Sequence, residues 1–307
     1  MMRNSRKQEP AGWPKALVLA ITILGMMALG ATATFVGAGF STTSQASPQA
    51  QAGAPGLVQL HLARASRVRD SLGFPVGTSR TDSLVHDSVR RTDIDETDEL
   101  DAQGKTVSLT QFDSNGDFVS AIRFDAQPHP SASVSSSSAS ASARTAAINL
   151  GLESTQPSLV FDDPSDGGRM VQWDRAEQGV PVLGDGTLVR VWPDGRVASV
   201  SKVGHVLSTP PSVTIGAGQA RQQATLSLGQ LAANSNPADF SIQAPELEWV
   251  NPNTAFDNTQ PYSEDPTMRL AWVVNVQTSG ATAGYLTLLT FYFDAGDGTL
   301  IGGDEVQ

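Results

Sequence analysis

The sequence predicts an α+β fold of small antiparallel sheets, each packed on a helix, preceded by one transmembrane helix. Three observations carry this expectation. Alternating apolar runs meet three times at turns rich in Asp, Asn and Gly. A phrase of helical spacing follows each of the first two turns. Ala16 to Phe40, 25 residues, holds no charge. Asn-Gly and Asp-Gly between alternating runs are the strongest short-range hairpin signal, strands joined to single helices read as α+β, and an uncharged apolar run longer than roughly 20 residues is long enough to cross a bilayer.

Arg3, Arg6, Lys7 and Lys15 face Glu9 alone in the first fifteen residues, the basic flank that stays inside when a following helix is inserted. Residues 1–15 are therefore expected as a cytoplasmic tail and 16–40 as an anchor, with the C-terminal bulk outside the cytoplasm. A signal peptide cleaved after Ala31-Thr32-Ala33 is the alternative. Residues 41–56, Ser/Ala/Gln/Pro-rich and uncharged, read as a flexible linker. Leu57 to Val68 has the spacing of a short helix. Ser131 to Ser142 is low-complexity and is expected as a mobile loop.

The three hairpins are Thr106–Phe112 with Phe118–Phe124, Thr187–Trp192 with Arg196–Val200, and Tyr285–Phe293 with Thr299–Ile301. In the second, Pro193-Asp194-Gly195 makes the turn: Pro presets a dihedral, Asp bonds its own backbone, and Gly accepts positive φ. Ser142–Leu150 and Gln219–Leu228 read as helices closed by Gly151 and Gly229. This divides the folded part into modules at 57–152, 153–211 and 212–307.

The patch Asp174 to Val182, a polar lead-in ending in Gln178-Gly179-Val180-Pro181-Val182, together with the hairpin behind it, resembles the fungalysin/thermolysin propeptide family. That family carries a Gln-x-x-Gly-Val-Pro-Val phrase before a similar strand pair; here Gln178 directly adjoins Gly179. Residues 212–306 resemble the PepSY domain that usually follows. The match lies in Ile215–Ala224, Pro245–Pro252, Met268–Val276 and the closing phrase Phe293-Asp294-Ala295-Gly296-Asp297-Gly298-Thr299-Leu300-Ile301. Phe112 to Gly151 resembles PepSY more distantly. In proteases such modules form the prosegment, which assists folding and inhibits the metalloprotease until removed. The resemblance therefore implies a partner-binding surface, whose candidate residues are Trp173, Gln178, Gly179, Val180, Pro181, Trp192 and Trp272.

Catalytic patterns are absent from the sequence. There is no His-Glu-x-x-His, and His61, His86, His129 and His205 stand far apart. Gly104-Lys105-Thr106 lacks the preceding Gly of a phosphate loop, since Glu99 stands there. Ser199 and Lys202 fit Ser-x-x-Lys only on a strand, which separates them. Asp113-Ser114-Asn115-Gly116-Asp117 offers a Ca²⁺-loop opening, but Phe124 occupies the position of the closing Glu, so it reads as a plain turn. Asp294, Asp297, Asp304 and Glu305 form an acidic group for which weak Ca²⁺ binding is the minority reading. No catalytic residue, metal or cofactor is expected.

Composition narrows the partners. The chain has no Cys, which excludes disulfides and thiolate metal sites, and a net charge of −11; from Pro237 to Gln307 ten acidic residues oppose only Arg269. Such a surface repels nucleic acid. The expected function is that of a membrane-anchored, extracytoplasmic, non-enzymatic binding protein. It would regulate, inhibit or help fold a secreted or envelope protein such as a metalloprotease. The alternative is a sensory ectodomain signalling through helix contacts in the bilayer, for which Thr22, Gly25, Ala28, Gly30 and Ala33 supply small residues.

Overall fold

The computed structural model describes residues 55–87, 92–125, 133–153, 155–163, 167–232, 236–257, 259–279 and 288–306. The tail, the anchor expected at 16–40 and the linker up to residue 54 lie outside these, as do 285–287 of the third hairpin.

Three α-helices are present among the described residues, α1 Pro55–Leu72, α2 Ser136–Asn149 and α3 Ala217–Leu231, with a single 3-10 turn at Pro237–Asp239. The strands, in chain order, are β1 Ser79–Asp87, β2 Thr92–Leu100, β3 Thr106–Asp113, β4 Phe118–Arg123, β5 Leu159–Asp162, β6 Arg169–Glu177 and β7 Val180–Val191. They continue with β8 Val197–Val203, β9 Val206–Leu207, β10 Phe240–Ile242, β11 Glu246–Val250, β12 Thr267–Thr278, β13 Leu288–Asp294 and β14 Leu300–Val306.

All three expected hairpins form, each around an aspartate. Asp113 Oδ1 accepts from the amides of Asn115 (2.9 Å) and Asp117 (2.8 Å), and Gly116 has φ +79°. Asp194 Oδ1 accepts from Arg196 N at 3.1 Å, and Gly195 N donates to the Trp192 carbonyl at 2.8 Å with φ +85°. Asp294 Oδ1 accepts from Gly296 N at 2.8 Å, and Gly298 has φ +81°. These carboxylates replace backbone partners that a tight turn leaves unmade.

The strands do not form separate small sheets. They join in one 14-stranded mixed sheet, ordered β1-β2-β3-β4-β8-β7-β11-β12-β13-β14, with β6 on β7, β5 on β6, and β9 and β10 on β12. This corrects the expected architecture of small antiparallel sheets each packed on a helix; the transmembrane helix expected before them lies outside the described residues. The physical reason is the parallel pairing of Val182 on β7 with Trp249 on β11, which joins what would otherwise be two sheet edges. A second parallel contact sets Val206–Leu207 beside Thr267–Met268. Among the described residues no helix is long and apolar enough to cross a membrane.

Two further local expectations change. Ser136 to Ser142 is the first half of α2 rather than a loop. Ser135 caps it, its side chain accepting from Ser138 N at 3.1 Å, and Ala139, Ala143, Ala146 and Ala147 are buried along one face. Alanine suits a helix pressed close to a sheet, being small and the best helix former. α3 runs past Gly229 to Leu231, because Leu228 is still buried and its carbonyl receives the Ala232 amide at 2.8 Å.

α1 and α2 cover Phe112, Ala121, Val171, Trp173, Val189, Val191 and Val200. α3 covers Val274, Val276, Leu289, Phe291 and Phe293, where Phe256 also packs, its ring 5.1 Å from that of Phe291. On the other face of the second half, Val250, Ala271, Val273 and Tyr292 pack with Leu183 and Ile301. Alternate residues of β12 thus serve two cores, as a period of two requires. Asn253 lies along β14: its amide donates to the Ile301 carbonyl (2.9 Å), its Nδ2 to the Gly303 carbonyl (3.0 Å), and its Oδ1 accepts from Gly303 N (3.0 Å).

Candidate functional site

The segment read as a polar lead-in is a long hairpin. β6 reaches Glu177, Gln178 and Gly179 form the turn, and β7 starts at Val180, with Glu177 opposite Val180 and Ala176 opposite Pro181. Gln178 (φ +52°) and Gly179 (φ +83°) are both left-handed, the two-residue turn whose twist matches paired strands. Gln178 is the one non-glycine with positive φ among the described residues.

Below the tip the strands fall out of step. Ala176 faces Pro181 but Asp174 faces Gly186, so Arg175 alone stands against Val182, Leu183, Gly184 and Asp185. Gly184 (φ +79°) and Gly186 (φ +143°) permit this bulge, and a Cβ at Gly186 would meet the Trp173 carbonyl oxygen at 2.0 Å. The bulge turns Val182 toward Trp249 and Asp185 inward.

Asp185 locks the bulge. Its side chain is fully buried and accepts from Arg175 (2.8 Å), from the His205 amide (2.8 Å) and from the His205 ring at 2.5 Å through Nδ1. Arg175 also donates to the His205 carbonyl at 2.9 Å. Burial by itself raises the Asp185 carboxyl. The hydrogen bonds from the His205 ring and amide, the His205 charge and the Arg175 bond outweigh it and hold the carboxyl below the usual aspartate value. His205 is thus a bonded residue, and its partner lies twenty positions upstream, beyond any local motif.

A scan against protein-family models finds no match to this chain, and a search of curated proteins finds none either. Among solved structures, the chain is similar to the Bacillus megaterium YpeB C-terminal domain. The TM-score is 0.44 and the identity 11%, covering 80% of this chain and 96% of that one.

The candidate binding residues separate by exposure. Gln178, Gly179 and Pro181 are exposed at the hairpin tip, Val180 is half-buried and Val182 is buried. Trp173 is buried under α2, its Nε1 donating to the Thr155 carbonyl at 3.3 Å. Trp192 is buried beside the Pro193–Gly195 turn, with the Arg123 and Arg196 guanidinium groups 5.1 and 5.0 Å from its ring. Trp272 is half-buried on β12 and donates to the Ile215 carbonyl at 3.0 Å, which fixes the approach to α3. The geometry groups Gln178 to Pro181 and leaves the three tryptophans as separate packing anchors. A shallow groove of about 410 Å³ lies between Leu72, α2 and Gly195, lined by small residues.

The acidic residues near the C-terminus have different partners. Asp294 is paired with Arg269 and with its own turn. Asp304 sits opposite Thr290, four residues away along β13, and accepts from the Tyr292 hydroxyl. Burial raises the Asp304 carboxyl, the Tyr292 bond opposes that, and the Glu264 charge adds to it.

Proposed function

We propose that this chain is an extracytoplasmic binding protein of the PepSY and propeptide-like kind, acting by binding rather than by catalysis. It regulates, inhibits or helps fold a secreted or envelope protein, with a metalloprotease as the first partner to test. The observation that carries the reading is the state of the Gln-Gly-Val-Pro phrase: it is an exposed hairpin tip with a fixed backbone, seated on a buried ionic lock. A preorganised tip loses little conformational freedom on binding, and this favours affinity without a large surface. The uncharged stretch at 16–40 supports a location at the cell membrane with the C-terminal bulk outside the cytoplasm.

The test places a photo-cross-linking residue at 178, at 181, and at Thr225, which is exposed on α3. The full chain is used in its own cells. The expected result is the same extracytoplasmic protein captured from 178 and 181 and absent from 225, with a captured protease inhibited by the purified chain. Equal capture from all three positions, or none from the tip, would overturn the proposal.

A further inference from the structure

The first hairpin of the sheet, β1–β2, is polar along most of its length, and α1 lies against it through charged side chains. At one end the charges balance: Arg69 and Arg80 both reach Glu99, at 2.7 and 2.6 Å. Toward the start of α1 they do not. Asp82 on β1 and Asp95 on β2 project to the same face, Asp82 standing opposite Thr97 and Asp95 opposite Leu84. The group between them is His61 of α1. Its Nδ1 is 3.4 Å from an Asp82 oxygen and its Nε2 is 3.4 Å from an Asp95 oxygen. The arginine one turn on, Arg64, sends its guanidinium to the Gly116 carbonyl at 3.4 Å, and its charge partly offsets that of Asp95.

We propose that His61, Asp82 and Asp95 are the protein ligands of a divalent transition-metal ion, with Zn²⁺ the best fit, bound where α1 crosses β1–β2. One donor atom from each residue lies within 4.8 Å of the other two. Ligands about 2.1 Å from a tetrahedral ion stand about 3.4 Å apart; one ring nitrogen, Nδ1, stands at that distance from Asp82, and the Asp95 oxygen, which faces the ring's other nitrogen, has to close on the same ion from within the 4.8 Å span of the three donors. One imidazole and two carboxylates, without thiolate, form a borderline N/O donor set suited to Zn²⁺, Co²⁺ or Mn²⁺ rather than to softer ions. Thr97 Oγ1 donates to the remaining Asp82 oxygen at 3.2 Å and orients that carboxylate, as outer partners do in metal centres. The side chains are 17%, 8% and 18% exposed, so an ion has access while most of the site is shielded. Three protein ligands leave a fourth position open to water or to a partner's side chain. Bound there, the ion ties helix to hairpin and stabilises the fold by mass action.

The full chain, stripped with a chelator, is titrated with Zn²⁺ by calorimetry and with Co²⁺ by visible absorption. One ion per chain is expected, with a thermal midpoint that rises on Zn²⁺ addition. His61→Ala, Asp82→Asn and Asp95→Asn are each expected to weaken binding at least tenfold and to abolish the thermal response. His86→Ala, which breaks the exposed His86–Asp93 pair at 3.0 Å on the same hairpin, is expected to bind as the parent does. If His61→Ala fails to fold by circular dichroism, the two Asn variants decide. No uptake by the parent chain, or uptake undiminished in Asp95→Asn, would overturn the site.

Discussion

Asp185 shows at residue scale how the site is held. Its carboxyl is depressed below the ordinary aspartate value of about 3.9, so ionisation is easier in the folded protein than in the unfolded chain. The stability this supplies is present in full above the ordinary value and fades as pH falls through the lower, folded one. Asp185→Asn is expected to cost about 1.5–3 kcal/mol at pH 7 through weakened charged hydrogen bonds. It should also flatten the dependence of the urea midpoint between pH 5 and pH 3. A variant whose midpoint falls as steeply with acid as the parent's would show that Asp185 is not the titrating group. The turn aspartates were legible at this scale because their bonds are local: Asp113 and Asp194 satisfy amides within four residues. The Asp185–His205 and His61–Asp82–Asp95 groupings were not, because strand pairing and helix crossing bring distant residues together.

Among the elements, the alternating strands were readable and the polar ones were not. β3, β4, β7 and β8 carry recurring apolar residues on either side of turn signals, and β13 is a near-continuous apolar run ending at one. β2, Thr92–Leu100, carries five acidic residues and no apolar alternation. It is nevertheless a strand, because Thr97 and Glu99 are buried under α1 and Glu99 meets two arginines there. The serine-rich start of α2 misled for the opposite reason: its small residues look like linker until their spacing on the sheet is known. That close approach makes α2 sensitive to volume. Ala143→Leu, at a fully buried position, is expected to lower stability by about 1–3 kcal/mol through overpacking. Ala141→Leu on the exposed side should stay within about 0.5 kcal/mol. Urea midpoints of the two variants make the comparison, and equal shifts would mean that the face of α2 is wrongly assigned.

For the molecule as a whole, the pairing of Val182 with Trp249 makes one sheet from strands whose sequence reads as separate modules. The sequence carries this junction as Val182-Leu183-Gly184-Asp185-Gly186. A bulge cannot be told from an ordinary turn until the partner strand is known. A continuous sheet couples its parts, so urea unfolding of the full chain is expected as one transition at a single midpoint. Tryptophan fluorescence, to which Trp173 and Trp192 contribute from one region and Trp249 and Trp272 from the other alongside Trp13, should coincide with far-ultraviolet circular dichroism. Two separated midpoints would show that the halves unfold independently. A sheet this wide also has exposed margins, and open strand margins recruit other chains. At β14 the hydrogen-bonding groups of Ile301 and Gly303 are already taken by Asn253. Over that part of β14 a stray copy of the protein meets backbone groups that are already paired. At the opposite margin, β1 carries exposed Leu84 and Val85, while its Arg80 and Asp82 are engaged beneath α1. The molecule resists edge-to-edge growth by occupancy at β14, and β1 is the margin on which such growth would start.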